Sequence, residues 1–224
     1  MRRFLRDNSL GLVFGLLFLI VLAGQAFAGH ADYNQRLLTE GLEPVSLGRY
    51  VTSASFGVDV AENWQSEFLQ FFLFIFLTVW LVQKGSPESK SLDKVGRETA
   101  EEQKIGEYAD EDSPRWARTG GLRTTLFSNS LGLVMGAIFV LSWLAQSIAG
   151  VAAYNEEQLA DRQDPVSWAQ YLREPDFWNR TLQNWQSELL AVASMTILAI
   201  YLRQRGSSQS KPVGSPHTAT GVES

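Results

Sequence analysis

The sequence predicts an all-α integral membrane protein, a four-helix bundle built from two tandem, parallel copies of a two-helix unit. Three observations carry this reading. Residues 8–31 and 124–155 contain no Asp, Glu, Lys or Arg, and an apolar run of about 18 residues or more without charge is long enough to span a bilayer. The chain aligns with itself, 8–90 on 129–211, without a gap. Lys and Arg gather in alternate segments between the apolar runs, the asymmetry expected of cytoplasmic and external loops.

The self-alignment has 33 identities over 83 positions. Asn8-Ser9-Leu10-Gly11-Leu12-Val13 matches Asn129-Ser130-Leu131-Gly132-Leu133-Val134. Tyr33-Asn34 matches Tyr154-Asn155, and Pro44-Val45-Ser46 matches Pro165-Val166-Ser167. Asn63-Trp64-Gln65-Ser66-Glu67 matches Asn184-Trp185-Gln186-Ser187-Glu188. An ungapped match of this length marks an internal duplication. Repeat 1 covers 1–90 and repeat 2 covers 124–206.

In repeat 1 the first helix is expected over 9–29, with Asn8-Ser9 as its N-cap. Its basic start (Arg2, Arg3, Arg6), apolar middle and Ala26-Phe27-Ala28 also fit a cleavable secretory signal. The internal second copy cannot be a signal, so the first is read as a retained membrane helix. The second helix is expected over 60–83, ended by Gly85 and Pro87. Residues 91–123 form a charged cytoplasmic linker, with a short helix near 98–105. Repeat 2 places helices at 130–152, again behind an Asn-Ser cap, and at 177–204, ended by Gly206. The tail 207–224, rich in Ser, Gly, Pro and Thr, is expected to be disordered. The loops after each first helix hold short surface helices entered at Ser46 and Ser167.

Charge sets the orientation. The N-terminus, the segment 84–123 and the tail hold 14 of the 19 Lys and Arg. The two remaining loops, counted with Glu67 and Glu188, hold 13 of the 24 acids and the other 5 basic residues, or −8. The basic side is the cytoplasmic one, so both termini are expected in the cytoplasm. Both repeats then share one orientation, with a pseudo-two-fold axis along the membrane normal.

Residues shared by both copies mark the faces that matter. At about 100° per residue, Gly11, Gly15, Gln25 and Gly29 fall on one arc of the first helix, as do Gly132, Gly136, Gln146 and Gly150 of its copy. The glycines are expected to let helices pack closely. Gln25 and Gln146 are polar groups on apolar helices. The second helix has only 16 uncharged residues between Glu67 and Lys84, about 24 Å of helix against a core of about 30 Å. Glu67 and Glu188 are therefore expected at or just below the external interface, with Trp64 and Trp185 as interfacial anchors. Gln25, Asn63, Glu67, Gln146, Asn184 and Glu188 form the candidate intramembrane polar cluster. It reads either as interhelical hydrogen bonding or as part of an ion or proton pathway.

There is no cysteine, and His30 and His217 are the only histidines. No phosphate loop, catalytic triad, paired-histidine metal motif or nucleic-acid-binding basic cluster is present. No catalytic, metal or cofactor-binding residue is assigned, and no cofactor or nucleic-acid partner is expected. The duplicated Asn-Ser-Leu-Gly-Leu-Val, Gln-x-x-x-Gly, Tyr-Asn and Asn-Trp-Gln-Ser-Glu segments resemble a family of uncharacterised bacterial membrane proteins, of actinobacterial type, known as a domain of unknown function. The resemblance covers about residues 1–206 and implies an inner-membrane location. The leading expectation is a non-enzymatic structural or interaction protein, an accessory subunit or envelope component. Its partners would be the lipid bilayer and another protein or a second copy. A small channel or transporter using Gln25, Glu67, Gln146 and Glu188 is the alternative, and a membrane enzyme a more distant one.

Overall fold

A computed structural model describes residues 1–221 and, for Arg2, the backbone only. Residues 222–224 of the expected tail lie outside the described residues. Among the described residues the regular elements are all helical. They are α1 (Arg2–Asp7), α2 (Ser9–Thr39), α3 (Leu47–Val51), α4 (Ala54–Leu77), α5 (Arg115–Arg118), α6 (Gly121–Ser128), α7 (Ser130–Ala160), α8 (Trp168–Tyr171) and α9 (Pro175–Tyr201), with single 3₁₀ turns at Leu92–Lys94 and Gly106–Tyr108. Two helices are long and apolar enough to cross a membrane, α2 and α7. The chain divides into two compact units, Met1–Ala61 with Leu144–Phe177, and Glu62–Trp143 with Trp178–Ser224.

In the first unit, α2 and α7 run well past the expected ends at 29 and 152. Nothing in Ala31–Leu38 or its copy breaks a helix, and the polar residues there continue it. Both helices stop in the same way. The Leu42 N–H reaches back to Leu37 O (2.8 Å) and the Gly41 N–H to Leu38 O (3.1 Å). The Gln163 N–H bonds Gln158 O (2.7 Å) and the Arg162 N–H bonds Leu159 O (3.1 Å). These paired bonds close a helix C-terminus when the next residue is left-handed. Gly41 (φ 75°) supplies that conformation freely, whereas Arg162 adopts it at φ 61° with a side chain attached.

The loop that follows is pinned by one asparagine in each copy. Asn34 accepts from Val45 N–H (2.8 Å) and donates to Val45 O (3.0 Å). Asn155 does the same with Val166, at 2.8 and 2.9 Å. Short helices follow where Ser46 and Ser167 were expected to start them. Ser46 Oγ accepts from Arg49 N–H, and Gln170 Oε1 accepts from both the Ser167 N–H and hydroxyl. These turns carry Tyr50 and Tyr171, the main buried aromatics of the unit. Tyr50 sits against Tyr33 and Phe56, each at 5.4 Å between ring centroids. Tyr171 sits against Tyr154 at 5.4 Å and Phe177 at 5.6 Å.

Asn8 and Asn129 do not cap the helices after them, as the sequence suggested. Their amides donate backwards, to Phe4 O (2.8 Å) and Thr125 O (2.7 Å), because short helices α1 and α6 precede them and leave carbonyls to satisfy.

In the second unit, α4 ends at Leu77 rather than 83 and α9 at Tyr201 rather than 204. Beyond them the chain makes one turn twice. Ser89 Oγ accepts from Gln83 N–H and Ser210 Oγ from Gln204 N–H, both at 2.9 Å. Gly85 and Gly206 supply positive φ, 90° and 82°. Lys90 Nζ donates to Gly96 O (2.8 Å) and Lys211 Nζ to His217 O (3.1 Å). Residues 207–221, for which composition predicts disorder, are thus held against the Gly85 turn. Lys211 is buried and also donates to Gly85 O and Ala219 O, and Gly85 N–H donates to Thr220 Oγ1 (2.8 Å). The helix expected near 98–105 is instead a pair of turns, since Lys104 is left-handed (φ 51°) and Gly106 follows it.

Candidate functional site

The Asn-Trp-Gln-Ser-Glu motif of repeat 1 lies on α4 and that of repeat 2 on α9. Within the motif the structure buries Gln65 and Ser66 and leaves Asn63 and Glu67 exposed. Trp185 Nε1 of the second motif donates to Gln65 Oε1 of the first at 2.6 Å. Two copies of one motif therefore meet through different members, the indole of one and the amide of the other. Gln65 Nε2 is buried with no hydrogen-bond partner, a state costing about 1–3 kcal/mol. Ser66 and Ser187 turn inward on their own helices, to Asn63 O and Asn184 O, each at 2.9 Å.

An aromatic layer surrounds this bond. Trp143 packs against Trp185 at 5.5 Å, Trp178 at 6.1 Å and Phe139 at 5.8 Å, and its indole N–H donates to Thr181 Oγ1 (3.3 Å). Arg180 on α9 reaches Glu62 on α4 at 3.3 Å, with the Glu62 side chain mostly buried. Rings, amide and ion pair together tie α4, α7 and α9 within the second unit. Chemically the layer holds helices together. No group of three or more potential metal ligands occurs among the described residues.

The remaining candidates separate. Asn184 is spent on Arg180 O (2.9 Å). Glu67 and Glu188 both lie in the second unit. Gln25 and Gln146 belong to the first unit; Gln146 is fully buried and Gln25 half-buried. Trp64, expected as an interface anchor, is 42% exposed, whereas Trp185 is drawn into the aromatic layer.

The glycines also take different roles. Gly136 lies under Phe72, 3.1 Å from where its Cβ would stand, and Gly132 faces Ile75 at 3.9 Å. Gly11 and Gly15 have nothing within 4 Å. Gly29 and Gly150 seat the rings of Tyr50 and Tyr171. Gln65 was not singled out by the sequence reading, and Trp185 was read as an interface anchor rather than as its partner, although both positions are identical in the two copies.

The first unit also holds an open cleft of about 720 Å³ beside Tyr33, Leu42, Ser46, Arg49 and Glu156. Burial and the neighbouring Glu157 push the Glu156 carboxyl up. Burial raises the Tyr33 and Tyr50 phenols.

Fold and site together define an all-α protein with two helices suited to crossing a membrane and an interhelical polar and aromatic layer. The chain belongs to the family described as a domain of unknown function (DUF6766), whose model matches residues 1–222. No curated protein and no solved structure matches it.

Proposed function

We propose that the protein is a multi-pass component of the bacterial inner membrane with a structural or interaction role, an accessory subunit or envelope component, rather than an enzyme. The observation that carries this is α2, whose 31 residues include none that is buried. Leu10, Phe14, Leu17 and Ile20 are each about half exposed or more, an apolar face larger than water tolerates and at rest in lipid. The α4 and α9 helices supply two further spans, each short in apolar length. The charged linker and the tail lie in the cytoplasm with both termini, and the two asparagine-pinned loops lie outside. The polar groups of the repeated motif serve helix association, as the Gln65–Trp185 bond and the Arg180–Glu62 pair indicate.

The recurrence of Glu67 as Glu188 in the second copy favours a second reading, a small channel or transporter with a polar site formed by Gln25, Glu67, Gln146 and Glu188. The chain has no cysteine, so single replacements distinguish the two. Gln25→Cys, Glu67→Cys, Gln146→Cys and Glu188→Cys are exposed in intact cells to a membrane-impermeant maleimide. Silence at 146 and 188, with a stoichiometric partner recovered in mild detergent, supports the structural role. Labelling at all four, with Leu16→Cys and Leu77→Cys silent, points to a water-filled pathway and overturns it.

A further inference from the structure

The second unit contains two adjoining cavities of opposite character. The first, about 280 Å³, is a groove between α4 and α9 walled by Leu73, Phe74, Leu77, Leu81, Leu189 and Val192. The second, about 360 Å³, is a polar chamber formed by the turn after α4 and the docked tail, with Lys90, Lys94, Glu88 and Glu98 at its wall. Glu88 and Ser89 line both, so the apolar groove and the charged chamber adjoin at these two residues.

The charges in the chamber are unequally occupied. Lys90 pairs with Glu98 and also donates to Gly96 O. The Lys94 ammonium makes no hydrogen bond or close ion pair among the described residues, and neither does the Glu88 carboxyl. Burial raises the Glu88 carboxyl, and no cation offsets it. Lys94 thus stands near Asp93, Glu98 and Glu102 without a direct bond to any of them, and Glu88, also without one, stands where the chamber adjoins the apolar groove.

We propose that this adjoining groove and chamber together bind a phospholipid with a zwitterionic, amine-bearing headgroup. Its phosphate meets Lys94, its ammonium meets Glu88, and an acyl chain runs along the groove between α4 and α9. A headgroup carrying both signs satisfies both side chains. A purely anionic headgroup leaves Glu88 facing a like charge, and a trimethylated amine has no N–H to donate to it. The site lies at the end of the spans assigned to the cytoplasm, the depth of a headgroup in the inner leaflet, and to that extent rests on the membrane reading above.

The test uses the full chain purified in mild detergent, stripped of lipid and titrated with phosphatidylethanolamine, phosphatidylcholine or phosphatidylglycerol of equal chain length, with bound lipid counted by native mass spectrometry. The ethanolamine lipid is expected to be retained roughly tenfold better than either of the others, the difference one charge-assisted hydrogen bond supports. Glu88→Gln and Lys94→Gln each remove that preference, and Lys104→Gln, whose ammonium pairs with Asp110 elsewhere, leaves it intact. If a headgroup variant aggregates, Leu77→Trp, which fills the groove, replaces it and reduces retention of the ethanolamine lipid. Equal retention of all three lipids overturns the assignment, as does a preference that survives both headgroup variants. A phosphatidylglycerol preference that depends on Lys94 alone overturns it in favour of an anionic-lipid site. Alkaline carbonate separates the two failures. A chain that it extracts from membranes defeats the membrane reading itself, whereas a resistant chain without lipid preference defeats only the lipid site.

Discussion

Tyr171 rests directly on Gly150. A Cβ at that glycine would stand 2.6 Å from the Tyr171 hydroxyl oxygen and 2.9 and 3.0 Å from two ring carbons. The ring is fully buried, and its hydroxyl donates to Asp176 Oδ2 at 3.0 Å, so it has little room to move. Tyr50 lies on Gly29 in the same way.

Gly150→Ala is therefore expected to destabilise the protein by about 1–3 kcal/mol, the usual range for overpacking. Gly132→Ala, where the nearest atom stands 3.9 Å away, gains helix propensity of up to about 1 kcal/mol. Thermal unfolding in detergent should move the two variants in opposite directions. Equal shifts would show that the tyrosine seat does not constrain α7.

Arg162 occupies the left-handed position that Gly41 fills in the other copy. Arg162→Gly should relieve backbone strain of about 1 kcal/mol and raise the unfolding temperature. Gly41→Ala should lower it by a similar amount.

Gln65 and Trp185 form a two-member test of the buried layer. Trp185→Phe keeps a ring but leaves the Gln65 amide with neither of its buried groups bonded, costing about 1–3 kcal/mol. Combining it with Gln65→Leu should recover much of that loss, because removing both partners of a buried polar pair is milder than removing one. A double-mutant cycle reads the coupling, and simple additivity would mean the bond is energetically silent.

Glu156 supplies a pH dependence. Its folded-state pKa is raised, so its contribution to stability is full below the ordinary glutamate range and is lost as pH rises through the folded value. Glu156→Gln should thus be more stable than the parent at pH 7, with the gap closing towards pH 4. A gap that widens on acidification would contradict the burial of this carboxyl.

Much of this architecture was legible in the sequence. The matches Asn34 with Asn155 and Pro44-Val45-Ser46 with Pro165-Val166-Ser167 correspond to hydrogen bonds that recur within a few tenths of an ångström. The helix ends were less legible. Arg162 carries no compositional signal for a left-handed turn, and the residues after 29 and 152 are equally at home in helix or loop. The protein-facing side of α4 was also less legible. Identity between copies marks Asn63, Gln65 and Glu67 alike, whereas the structure buries Gln65 and leaves Asn63 and Glu67 exposed. The docking of the tail depends on Lys211 reaching carbonyls of the distant Gly85 turn, which no local pattern announces.

The proposed topology has four membrane crossings with both termini inside. Single variants Glu40→Cys and Asp164→Cys in the pinned loops, and Glu107→Cys and Ser208→Cys in the linker and tail, are each exposed to an impermeant thiol reagent in intact and in permeabilised cells. Labelling of the first two is expected in intact cells, and of the second two only after permeabilisation. Labelling of Glu107→Cys in intact cells, or protection of Asp164→Cys there, would contradict it.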